Sequence, residues 1–296
     1  NLVVVQDQSL ARTYRIEFEE MFGSSTAQPN QANSLFGGAK DPFNTPNVFR
    51  IGGDSVECYF SPGNNLTGKA VQVINSASSD LRIAAMLLTR FDMTRAVEAL
   101  VGQVTTIQAI FNDTTDAEGR GYRELVDDLP GNVRYNPDGS VVMHHKYMIV
   151  DQGAPNSDPL VWTGSHNFSA NADDNNDENT LIIYSQDVAN QFLQEFNARF
   201  ASYPTSRDEA LANQFQLGLY PNPAGEQTTL RFETQFRGEL PFMLLDLNGR
   251  VLQSDVLTAT GAAHEVTLEL GALPAGVYIA AIEIGGYLKT LKFIRQ

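Results

Sequence analysis

Apolar positions fall into two rhythms along the chain. Between residues 55 and 200, short apolar runs alternate with stretches in which apolar residues return every three or four positions. The short runs predict strands over 55–60, 80–88, 104–111, 144–151, 160–164 and 179–184, and the longer period predicts helices over 66–77, 92–102, 119–128 and 186–201. This alternation predicts an α/β layer in which helices pack on a mixed sheet. After about residue 203 the rhythm shortens. "TTLRFET", "FMLLDLNG", "HEVTLELG" and "GVYIAAIEIGG" read as alternating strands between turns, the pattern of an independent all-β sandwich of about eighty residues.

Two segments repeat at a constant offset. "NLVVVQDQSLARTYRIEFEEMF" at 1–22 matches "NTLIIYSQDVANQFLQEFNARF" at 179–200, with Asn1 on Asn179, Ala11 on Ala189, Glu17 on Glu195, Phe18 on Phe196 and Phe22 on Phe200. Each copy reads as a short buried strand followed by an amphipathic helix, apolar at 10, 14, 18, 22 and at 188, 192, 196, 200. The pattern predicts a duplication in which 1–22 is the tail of a truncated first half, 51–203 is a complete second half and 214–296 is the β-sandwich. Residues 23–50, rich in Gly, Pro, Asn and Ser, read as the connector. The chain starts at Asn1 with neither methionine nor signal peptide, so the repeat predicts further sequence upstream.

Composition narrows the function. With 296 residues, 42% of them hydrophobic, the chain can fill two modest cores, and 19% charged residues is too few for a solvating disordered chain. No apolar run has the length of a membrane span. A net charge of −15 argues against salt-driven adhesion to nucleic acid through a broad basic surface, and leaves room for a small cationic pocket that takes an anion. The single cysteine, Cys58, reads as a buried small hydrophobe.

Candidate chemistry collects at the ends of three predicted strands. In "VVMHHKYMIVD" at 141–151, strand parity sends His144 and Lys146 one way and His145 and Tyr147 the other. An imidazole kept neutral beside a fixed ammonium suits attack on an anionic phosphorus. "GSHNFS" at 164–169 offers Gly164, where a ligand can approach the backbone, and neutral donors at Ser165 and Asn167. "NNDEN" at 175–179 supplies Glu178, a carboxylate able to hold one nitrogen of an imidazole.

Taken in order, "HHKYMIVD", "GSHNFS" and "NDEN" resemble the HxKxxxxD–GSxN–E signature of the phospholipase D superfamily, over about residues 52–202. "LYPNPAGE", "LPAGVY" and the terminal "KFIRQ" are similar to the type IX secretion sorting domain of Bacteroidetes exoproteins. The second resemblance implies an immunoglobulin-like sandwich used for export and surface anchoring. The first implies that His144 is the nucleophile that forms a phosphohistidine, or the acid that protonates the leaving group. It also implies that Lys146 and Asn167 stabilise the phosphoryl oxygens and that Glu178 orients His144. Ser165 and Gly164 are candidate substrate contacts. Asp151 belongs to the signature, but parity turns it from His144 and it reads as structural. The two-step displacement needs no metal or other cofactor, and no ligand cluster in the sequence argues for one.

Other residues read more plainly. His145 and His166 are satisfied or rim histidines, Phe168 is core, His264 is on the sandwich surface, and Asp173, Asp174 and Asp177 form a solvated loop. The leading reading is a secreted or cell-surface phosphodiesterase whose substrate is a phospholipid or a nucleic acid, the acidic balance favouring the lipid or a small diester. The alternatives are an endonuclease and a non-catalytic surface binding module. One histidine does not easily serve as both nucleophile and leaving-group acid. Activity therefore calls for a partner site, from an upstream half or a second protomer, and the repeat favours the upstream half. The secretion machinery is the other expected partner.

Overall fold

The computed structural model describes residues 1–114, 119–138, 140–154, 156–204, 215–234, 236–261, 263–284 and 287–296. They form two compact units, Asn1–Tyr203 and Pro204–Gln296. The expected sandwich start at residue 214 and the glycine pair 285–286 lie outside the described residues.

The first unit is built on an eight-stranded sheet of β1 (Val48–Ile51), β2 (Asp54–Ser61), β3 (Asp80–Ala85), β4 (Thr106–Phe111), β5 (Val133–Tyr135), β6 (Lys146–Val150), β7 (Leu160–Gly164) and β8 (Glu178–Tyr184). Their order is β1-β2-β8-β7-β6-β3-β4-β5. The β3–β4 and β4–β5 pairs are parallel and the others antiparallel, so the sheet is mixed, as the alternating pattern implied. Helices α1 (Gln8–Phe22), α2 (Leu66–Asn75), α3 (Phe91–Ala99), α4 (Arg120–Leu125), α5 (Ala170–Asp174) and α6 (Gln186–Ser202) complete the unit.

The strand register shows how the repeated helices are used. Tyr147, Thr163, Leu181 and Cys58 lie opposite one another across β6, β7, β8 and β2, as do Ile149, Val161, Ile183 and Val56. Residues so aligned share one face of the sheet. On that face, Tyr147, Ile149 and Val161 pack with Ala189 and Phe196 of α6, while Val56, Cys58, Leu181 and Ile183 pack with Leu10 of α1, and Val188 touches both groups. Helices α1 and α6 therefore lie side by side over one face. Lys146, Met148, Trp162, Thr180 and Ile182 occupy the alternate positions and line the other.

Three expectations need correction. Residues 1–5 join no strand of the sheet: Asn1 hydrogen-bonds with Thr163 and His145, Val3 and Val5 pack into the α1 cluster, and Leu2 and Val4 are 87% and 85% exposed. The equivalent segment of the repeat, β8, is instead an interior strand between β7 and β2. The expected strand 144–151 begins only at Lys146; before it the His145 carbonyl accepts one hydrogen bond from Met86 N–H (2.7 Å), and Met143 N–H donates to the Asn112 side chain (2.7 Å). The connector is more than a linker: it ends in β1 and is pinned by buried Lys40. That ammonium pairs with Glu17 and with Asp177 (3.0 Å) and donates to the Ser61 carbonyl (2.8 Å).

The second unit holds a three-stranded sheet, β13-β10-β9, and a four-stranded sheet, β12-β11-β14-β15. The strands are β9 (Gln216–Tyr220), β10 (Gln227–Glu233), β11 (Arg237–Leu245), β12 (Val251–Thr260), β13 (Ala263–Glu269), β14 (Gly276–Ile284) and β15 (Tyr287–Arg295). Leu230 and Phe232 from one sheet share a core with Leu240, Phe242, Leu244, Ile282 and Phe293 from the other, the packing of a β-sandwich. His264 is not simply on the surface. Its ring stacks on Phe232 at 5.0 Å and Nε2 accepts from Thr260 N–H at 3.0 Å.

Candidate active site

His144 is exposed and sits just before β6, whereas Lys146, the first residue of the strand, is 3% exposed. The Lys146 ammonium donates to the His144 carbonyl at 3.4 Å and lies 3.7 Å from Met86 Sδ. Burial lowers its pKa to about 8, against an opposing pull from the Glu178 carboxylate. The neighbouring Lys146 charge, with burial and His145, lowers the pKa of His144 below the ordinary histidine value, and Glu178 again opposes. The imidazole is thus biased towards its neutral form while the cation beside it is still charged at neutral pH.

Both side chains line an open cleft of about 410 Å³ whose walls include Thr163, Gly164, Ser165, Asn179 and Tyr14. Gly164 is required where it stands: its φ is +158° and a Cβ would overlap the Asn179 carbonyl. The crowding comes from β8 and not from a ligand, and it lets Ser165 N–H reach the Asn179 carbonyl at 3.0 Å. Asn167 follows on the same loop, with Oδ1 buried and without a hydrogen-bond partner. Glu178 lines an adjoining hollow of about 210 Å³ with Tyr14, Phe18 and Phe60, and accepts from Asn176 at 3.1 Å. Its influence on His144 is through charge; a hydrogen bond between the two is absent among the described contacts.

The remaining motif residues are drawn elsewhere. His145 is buried on the α6 side, with Nε2 3.1 Å from Glu195 Oε1. Burial would raise the Glu195 pKa, but hydrogen bonds from His145, Tyr147 and Arg199 hold it at about 2. Asp151 is fully buried. It accepts from Ser78 N–H (2.9 Å) and Oγ (2.7 Å), Ser79 N–H (2.8 Å), Asp80 N–H (3.2 Å) and Ser157 Oγ (2.9 Å), binding the end of β6 to the turn before β3. His166 is 1% exposed, with Nε2 3.3 Å from Asp173 Oδ1, so it is no rim residue.

The acidic loop is not simply solvated. Asp173 accepts from Thr67 N–H at the start of α2 (3.1 Å), and Asp177 holds Lys40 and Gly37 N–H. Phe168 is fully buried, and burial raises the Cys58 thiol to about 12. Sequence reasoning missed Tyr14 and Asn179 as cleft residues. The repeat was the available signal, since it marked both segments, but it gave no reason to place α1 beside β8.

Residues 70–200 match the family model described as cardiolipin synthase, PLD-like domain, and residues 218–296 match that of the secretion system C-terminal sorting domain. The first unit therefore carries a phospholipase D-like domain, and the second a type IX sorting domain, a signal for export. The chain is 26% identical over 139 residues to a mitochondrial cardiolipin hydrolase of Canis lupus familiaris, covering 47% of this chain and 52% of the relative. It is 41% identical over 61 residues to a phospholipase D of Rickettsia conorii, covering 21% of this chain and 28% of the relative. It thus spans about half of one of these proteins and little more than a quarter of the other. A solved phospholipase D family member, Nuc from Salmonella typhimurium, aligns with 24% identity and a TM-score of 0.45, over 51% of this chain and 97% of that one. Among the described residues no helix is long and apolar enough to cross a membrane, and no group of three or more His, Cys, Asp or Glu is placed to hold a metal ion.

A pH prediction follows from the depressed Lys146. For turnover of an anionic diester, the activity proposed below, kcat/KM reports the free enzyme. It should fall as pH rises through about 8, where Lys146 loses its charge, rather than holding to the ordinary lysine range near ~10.4. In Lys146→Arg, at reduced rate, that alkaline limb should disappear below pH 10. A limb unmoved by the substitution would assign it to another group.

Proposed function

We propose that the first unit hydrolyses a phosphodiester by two-step displacement through a phosphohistidine, without a metal ion. The observation that carries this reading is one open cleft holding an imidazole biased towards neutrality and a buried ammonium still charged at neutral pH. His144 serves as the nucleophile or as the acid for the leaving group. Lys146 and Asn167 stabilise the equatorial phosphoryl oxygens, where charge builds up in the transition state. Ser165 and Gly164 contact the substrate, Glu178 balances the charge on His144, and Asp151 is structural.

Of the described histidines, His144 alone lines the cleft, so the second imidazole comes from an upstream half of the chain or from a second copy. Of these sources, the sequence repeat favours the upstream half. The sorting domain hands the protein to the secretion machinery and places it outside the outer membrane, in the medium or on the cell surface.

A phospholipid and a nucleic acid present the same diester, and the acidic chain favours the lipid or a small diester. The test is to offer the full-length protein phosphatidylcholine with a primary alcohol and, separately, single- and double-stranded DNA, each with a chelator present. Phosphoryl transfer to the alcohol is the expected result. Nicked DNA would make it an endonuclease, and silence on every substrate would leave a binding module.

A further inference from the structure

The Ser165 hydroxyl stands in the cleft wall with both of its acceptor positions in use. Its Oγ accepts from Asn179 N–H at 3.0 Å and from Asn179 Nδ2 at 3.1 Å. A hydroxyl has two lone pairs and one proton. With both lone pairs engaged, the proton is left to donate to whatever fills the cleft. That holds only while Asn179 presents its Nδ2 to the serine. With the amide turned over, Oδ1 would face Ser165 and take the proton for itself.

Tyr14 fixes the amide. Its hydroxyl donates to Asn179 Oδ1 at 3.1 Å, which leaves Nδ2 directed at Ser165. The other group facing the Tyr14 hydroxyl is the buried Cys58 thiol, a weak acceptor that competes poorly for that proton. We propose that Tyr14 is a positioning residue which, through the Asn179 amide, aims the Ser165 hydroxyl proton into the cleft as a donor to a phosphoryl oxygen. The inference rests on the cleft being a phosphoryl site. It gives α1, the first copy of the repeated helix, a part in the site built by the second half.

The test is a double-mutant cycle on the full-length protein, using bis(p-nitrophenyl) phosphate for turnover and inorganic orthovanadate for binding. Tyr14→Phe removes only the hydroxyl and keeps the ring that packs edge-on against Phe60, with centroids 5.2 Å apart. Ser165→Ala removes the donor. Tyr14→Phe should lower kcat about tenfold with KM within about twofold, the loss expected when a transition-state donor is no longer held in place. Vanadate affinity should fall in parallel. The double variant should be no worse than Ser165→Ala, because Tyr14 acts only through the serine.

Wild-type behaviour of Tyr14→Phe, or losses that multiply in the double variant, would overturn the inference. So would failure of the wild type to bind vanadate. The same cycle seen in vanadate binding without any turnover would sustain the positioning role and remove the hydrolase reading instead.

Discussion

Replacing His144 with alanine is expected to reduce turnover of a diester with a poor, alkyl leaving group by about 10³-fold or more. Loss of a general acid or base alone removes about 10²–10⁴-fold, and loss of a nucleophile closes the covalent route. The leaving group separates the two roles. With p-nitrophenol, which departs without help, His144→Ala should recover most of its rate if His144 is the acid and none if it is the nucleophile. The fold itself should be unaffected, because His144 is exposed and precedes β6 rather than lying within it. Lys146→Met should lose about 10²–10³-fold through the missing phosphoryl contact. An alkyl diester hydrolysed equally by wild type and His144→Ala would place the chemistry elsewhere.

Asp151→Ala should have the largest effect on stability, about 3–5 kcal/mol. The carboxylate is fully buried, and its removal strands the backbone N–H groups of Ser78, Ser79 and Asp80. Its φ is +55°, a conformation that aspartate and asparagine tolerate better than alanine. Asp151→Asn should therefore lose less, keeping Oδ1 for the backbone N–H groups while turning Oδ2, which accepts from the Ser78 and Ser157 hydroxyls, into a donor. Burial would raise the Asp151 pKa, but hydrogen bonds from Ser79, Ser78 and Asp80 hold it below its ordinary value. A depressed carboxyl contributes stability that is full above the unfolded pKa, near ~3.9, and is lost as pH falls through the folded value. The wild-type first unit should thus lose stability on acidification below about pH 4 more steeply than Asp151→Ala. Denaturation midpoints of the two measured at pH 7 and pH 3 check both statements, and equal midpoints at pH 7 would mean that the buried carboxylate contributes nothing.

What the sequence revealed depended on how local each signal was. The strands around Val56, Ile83, Ile149 and Ile183 were legible because each is a short, dense apolar run whose burial needs no knowledge of its neighbours. Helix α6 was legible from its four-residue period. Lys146 was visible as the first position of the β6 run, whereas His144 and His145 precede that strand, so strand alternation does not account for His144 lining the cleft or for His145 meeting Glu195. Strand pairing was not legible. Residues 1–5 have the composition of a strand, yet it is β8, their equivalent in the repeat, that pairs with β2 and β7. The burial of Lys40 was hidden for a similar reason. A lysine in a Gly- and Pro-rich stretch reads as solvated until Glu17 and Asp177, distant in sequence, close around it. Tyr14 looked like one more apolar position on an amphipathic helix. Its hydroxyl matters because α1 packs beside β8, which brings it to Asn179.

The central claim is that the His144 cleft transfers a phosphoryl group through histidine. The test is a rapid quench of the full-length protein turning over a ³²P-labelled diester with chelator present, followed by alkaline and acid digestion of parallel samples and identification of the labelled amino acid in each. Label on histidine, kept in the alkaline digest and lost from the acid one, is the expected result. Steady turnover with no trapped label, or label on an acid-stable serine or threonine, would contradict it.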